Sequence, residues 1–140
     1  MAGVVLYRFP RTMEAVHYPE AKAVVSHWES LCTPDCCAAI ERGSHECRRL
    51  GAKSWIVDLT QNPGVPSQAD LHWMETTGVA LAKQNGLLAV INVHGASALA
   101  SMGSKRWTRS ASDGGLATYD CKSLEDALVL AAEVAAGRAT

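Results

Sequence analysis

The sequence predicts an α/β domain with a mixed, mainly parallel sheet and about four helices packed on it. Three observations carry this: short apolar runs of strand length, helical stripes between them, and a Gly or Ser at most of the junctions. At 140 residues and 48% hydrophobic, the chain can bury one substantial core but hardly two, so residues 1–140 are expected to form a single domain.

The opening third reads as β structure. "VVLYRF" at 4–9 and "AVVSHWES" at 23–30 are rich in β-branched and aromatic residues, with a short strand expected near His17 and Tyr18 between them. The next stretch, "TPDCCAAIERGSHECRRLG", has the marks of a helix: Thr33 as N-cap, Pro34 in the first helical position, Arg48 and Arg49 in the last turn, and Gly51 beyond. Then "SWIVDLT" at 54–60 is a near-continuous apolar run, as a strand covered on both faces requires. Leu71, Met74, Gly78, Leu81 and Asn85 trace a helical stripe that Ser67 opens. "LLAVINV" at 87–93 is a second buried strand, followed by a helix from about Ser97 to Arg109, a strand "LATYDC" at 116–121 and a last helix from Ser123. The order β, β, β, α, β, α, β, α, β, α predicts parallel strands joined by crossovers, with the opening strands antiparallel.

Composition excludes some functions. Thirteen Lys and Arg against fourteen Asp and Glu leave no net field to attract nucleic acid or an anionic membrane. No apolar run reaches the roughly 18 residues of a membrane span, so a cytoplasmic protein is expected. The five cysteines lack the C-x-x-C spacing of a zinc knuckle, and no metal or other cofactor is expected. Cys36 and Cys47 share a helical face with Ile40, Gly43 and Leu50 and are read as buried small hydrophobes, which leaves Cys37 as the more reactive thiol.

Several runs together, "GAKSWIVDLT", a helix containing "LHWM", "GLLAVINVHGASALASM" and "LATYDCKSLEDAL", resemble the STAS or anti-anti-sigma superfamily, particularly its SpoIIAA-like members. The likeness covers about residues 23–134. Its most specific part is Ser123-Leu124-Glu125-Asp126-Ala127-Leu128, which is similar to the S-x-E-E-A-L that often opens the final helix of such domains. The resemblance implies a non-catalytic regulatory module that works by binding a protein partner or a small ligand. It also implies a phosphoacceptor role for Ser67, which falls where the family's D-S-S-G motif begins. This chain reads Pro66-Ser67-Gln68-Ala69 there, without the acid and without the glycine. Ser67 with Asp70 three residues on is better read as a helix cap.

The carboxyl ends of "WIVDLT" and "LLAVINV" are expected to open on one side of the sheet, where Thr60, Asn62, Ser67, His94 and Ser97 would converge as a candidate ligand-binding crevice. Two alternatives stand beside this. A hydrolase would use Asp58, His94 and a serine, but "HGASA" lacks the second glycine of a nucleophile elbow. An apolar-ligand carrier is suggested by four tryptophans in a chain with one Phe, since CRAL-TRIO lipid-binding domains are structurally akin to SpoIIAA-like proteins. Trp73 and Trp107 are expected to be partly exposed, and Trp73 with the edge of the first strand suggests a homodimer surface.

Overall fold

The computed structural model describes residues 1–95 and 98–138, and of residues 98–104 the backbone alone. These residues form a mixed sheet of six strands in the sequential order β1 (Val4–Phe9), β2 (Met13–Tyr18), β3 (Ala23–Trp28), β4 (Ser54–Leu59), β5 (Ala89–His94) and β6 (Ala117–Cys121). The first three strands are antiparallel, and β3 to β6 are parallel, as expected from the element order. β2 is a full six-residue strand where the sequence suggested a short one at His17 and Tyr18. Its alternation is blurred because it is central, paired on both sides, and carries Glu14 and His17 among its apolar positions.

Three crossovers link the parallel strands. They run through α1 (Cys36–Leu50), through α2 (Gln68–Trp73) and α3 (Val79–Gln84), and through α4 (Ala98–Asp113). A π turn, Met74–Gly78, joins α2 to α3 without leaving helical backbone angles, so the two make one rod. Strands added one after another by crossovers of one hand place every crossover helix on the same face. The opposite face is left to α5 (Leu124–Ala135) and the 3-10 turn Pro19–Ala21.

The two faces are packed with different sizes of side chain. Under α5 the sheet offers Ala23, Val25, Ile56 and Ile91, and α5 answers with Ala127 and Ala131, so helix and sheet approach closely. The crossover face carries Trp28, Trp55 and Val57, met by Met74, Ala82, Trp107 and Ala111 from the helices. Large rings opposite short side chains do not fill space evenly. Gly43 of α1 relieves one such contact, because a β-carbon there would fall on the Trp55 ring.

Two expectations are corrected. Thr33 does not cap α1: its hydroxyl lies 2.6 Å from that of Thr12, a fully buried residue that needs a polar partner, and the residue preceding the helix is Asp35, with no side-chain cap. Trp107 is only 9% exposed and belongs to the core, because its indole N–H reaches Asn92 Oδ1 at 3.3 Å on β5. Asn92, fully buried, also donates to Thr108 at 2.9 Å and so fastens α4 to the sheet. Trp73 is half-buried, with its ring over Gly78. Among the described residues no helix is long and apolar enough to cross a membrane.

Candidate functional site

The carboxyl edge of the parallel strands brings some of the expected crevice residues together. Asn62 sits in the turn after β4 in the left-handed region, φ 53°, and its Oδ1 lies 3.0 Å from where a β-carbon of Gly95 would be, so the turns after β4 and β5 are in close contact. His94 ends β5 opposite Leu59. Thr60 is exposed beside them. Ser67 lies at the start of α2, where its Oγ accepts from the Asp70 backbone N–H at 3.1 Å, the capping contact expected from the sequence. Ser97 lies outside the described residues.

These polar groups are largely engaged with one another or with near neighbours. Thr60 donates its hydroxyl and its backbone N–H to Asp58 Oδ1, at 2.7 and 3.0 Å. His27 Nδ1 lies 2.6 Å from Asp58 Oδ2. His94 Nε2 meets Asp120 Oδ1 at 2.5 Å, while its Nδ1 is buried with no partner among the described residues. Because Leu59 pairs with His94, Asp58 projects from the other side of the sheet. The Asp58 and His94 side chains considered for a triad therefore face opposite layers and take separate partners. The His27–Asp58 pair was missed at the sequence level because it joins residues 31 apart, and register alone makes them neighbours.

Burial by itself would raise the Asp58 carboxyl, but the hydrogen bonds from His27 and Thr60 outweigh it and hold the group below the usual carboxylate range. A depressed folded-state value stabilises the fold above the unfolded value of about 3.9, and that contribution is lost as pH falls through the folded value. Urea unfolding at pH 7, 5 and 3 should show the stability gap between the wild type and Asp58→Asn narrowing towards acid. A gap that stays constant with pH would show that the ionised carboxylate contributes nothing.

The thiols separate by environment. Cys36 and Cys47 are fully buried, as their helical spacing predicted, and burial raises both, Cys47 to about 12. Cys37 is corrected as the reactive thiol: partial burial and donation to Asp70 Oδ1 at 3.4 Å push it up to about 12. Cys32 is the exposed one. A maleimide under native conditions is expected to modify Cys32 first, with Cys37 slower and Cys36 and Cys47 slowest; early loss of Cys37 would contradict its pairing with Asp70. Among the described residues no group of three or more His, Cys, Asp or Glu side chains could hold a metal ion.

A second site lies behind this edge, between the sheet and its crossover helices. It is a cavity of about 80 Å³ with an almost wholly apolar wall. Trp28, Trp55 and Val90 form its sheet side, and Ser44 of α1, Met74 of the π turn and Trp107 of α4 contribute from the helices. Two of the three indoles are pinned: Trp28 donates to Ser26 Oγ at 2.9 Å, and Trp107 donates to Asn92. Arg106, exposed at the far side of α4, ties that helix to the π turn through Glu75 at 2.8 Å and to α2 through Gln68 at 2.9 Å. The four-tryptophan composition was the sequence signal for this site; that three of the four would surround one space was not visible in their spacing. Comparison with protein-family models, with curated proteins and with solved structures finds no match for this chain.

Proposed function

We propose that this chain is a binding module, of the STAS-like type its sequence resembles, that takes a compact apolar ligand into the tryptophan-lined cavity. The cavity is the observation that carries this reading. Its described lining holds no carboxylate, imidazole, ammonium or thiol, which supports binding rather than turnover at this place. Size narrows the ligand. At about 80 Å³ the space is roughly half the ~150 Å³ that admits benzene in an apolar protein cavity, so a long acyl chain is disfavoured and a single ring enters with movement of the wall. Met74 is the adaptable part of that wall, being unbranched and placed in a π turn, a helix irregularity frequent at functional sites.

Benzene tests the reading. At a hundred times its dissociation constant it should stabilise the protein by about 2.7 kcal/mol in thermal unfolding. Ala111→Leu, which places extra carbon into the cavity from α4, should abolish that shift while the protein stays folded. No shift in the wild type, or one that survives Ala111→Leu, would overturn the cavity as the site. A shift abolished instead by substituting Asn62 and His94 would move it to the carboxyl edge.

A further inference from the structure

We infer that the outer face of α4 binds a dianion of the phosphate monoester class, in a groove that Lys105, Arg106, Arg109 and Ser110 form with Glu75 of the π turn. The groove is separate from the tryptophan-lined cavity and lies on the other side of the same helix.

The sequence concentrates positive charge here. Between Gly95 and Ser112 it holds Lys105, Arg106 and Arg109 and no Asp or Glu, although the chain as a whole carries a net charge of −1. Residues three and four apart are neighbours on a helix, so Lys105 lies beside Arg109, and Arg106 beside both Arg109 and Ser110. Trp107 and Ala111, buried on the inner side, turn this face outward. The ordinary reasons for such a cluster do not apply. Cations are favoured in the last turn of a helix, yet α4 runs Ala98–Asp113 and has no basic residue in its last turn. Exposed helix cations are stabilised by an acid one turn away, whereas Lys105 has Arg109 there, a like charge that weakens the helix. Among the described residues Arg106 pairs with Glu75 at 2.8 Å, and Lys105 and Arg109 are in no ion pair.

Charge and lining narrow the ligand. Three cations against one carboxylate leave the groove at +2, which matches a phosphate monoester at about −1.5 to −2 near pH 7. A guanidinium offers paired N–H donors to phosphate oxygens, an ammonium adds a point charge, and the Ser110 hydroxyl is a further donor. No apolar side chain lines the groove, so the phosphate itself is what these residues recognise, and its organic group is left outward in an open space of about 560 Å³.

Isothermal titration with methyl phosphate and methanesulfonate tests this, since both present three oxygens on a tetrahedral centre and differ in charge. At pH 8 methyl phosphate, the dianion, should bind the wild type about tenfold more tightly than the sulfonate monoanion. Lys105→Gln and Arg109→Gln should each weaken methyl phosphate about fivefold, while Arg48→Gln, which removes an exposed charge from α1, should change it less than about twofold. Both groove variants are expected to fold, because each relieves a like-charge contact. Arg106 is kept, since its bonds to Glu75 and Gln68 hold α4 against the π turn and α2. No binding of methyl phosphate, or equal binding of the two anions, would overturn the dianion site. Binding that survives both groove variants, or that Arg48→Gln weakens as much as they do, would overturn the placement in this groove.

Discussion

Trp28→Ala is expected to lower folding stability by about 3–5 kcal/mol, the range for removing a fully packed aromatic side chain. Trp28 is 2% exposed and sits at the end of β3, opposite Met13 of β2. Collapse around the missing ring is restricted, because β3 is held between β2 and β4 on both sides. Ser26 keeps its bond to the Ile56 carbonyl at 2.9 Å whether or not the indole is present, so the loss comes mainly from packing. The space vacated would merge with the existing cavity, whose wall Trp28 forms. Urea unfolding measures the effect, and a loss under about 1 kcal/mol would mean that this wall is not packed as described. Against a typical total of about 5–15 kcal/mol, the expected loss is large enough to threaten folding. If the variant folds, benzene should stabilise it more than it stabilises the wild type, since the enlarged space approaches the size that admits a ring.

Gly43→Ala is expected to cost about 1–3 kcal/mol, although alanine is ordinarily the better helix former by about 0.5–1 kcal/mol. The reversal comes from what the new carbon meets. At Gly43 a β-carbon falls on the six-membered ring of Trp55 and within 2.8 Å of Tyr7 Oη. Neither neighbour can easily give way: Tyr7 donates to the Ala39 carbonyl at 2.7 Å and lies under the Arg42 guanidinium, 4.5 Å from the ring centroid, and Trp55 is on a central strand. Combining Gly43→Ala with Trp55→Phe should recover part of the loss, because the smaller ring vacates the position the methyl needs. Additive losses in the double variant would show that the two residues are not in contact.

Much of the architecture is legible in particular residues of the sequence. The bounds of β1 follow from a run rich in β-branched and aromatic residues, and the caps at Ser67 and Ser123 follow from a hydroxyl three residues before an acidic position, where the side-chain oxygen meets an otherwise unpaired N–H. The parallel order follows from helices alternating with short apolar strands, and the burial of Cys36 and Cys47 from the helical period. These are local matters, decided within a turn or two of backbone.

The candidate sites are of another kind. Thr33 has a capping residue's side chain, yet the helix begins only at Cys36 and the Thr33 hydroxyl pairs with that of Thr12, 21 residues away. Cys37 points off the apolar face as its spacing says, and its thiol is nevertheless pushed up, first by partial burial and then by Asp70 from a different helix. Trp107 follows a lysine and an arginine on α4, which reads as a solvated face, and is drawn inward by Asn92 on β5. In each case a contact between distant segments outweighs a local preference. The cavity is the extreme instance: no residue encodes it, since it is the space left when three indoles from β3, β4 and α4 meet small side chains on the facing helices. Local periodicity determines which residues face inward; whether those residues fill the interior depends on how their shapes meet across the layers, and that is settled when the chain is folded.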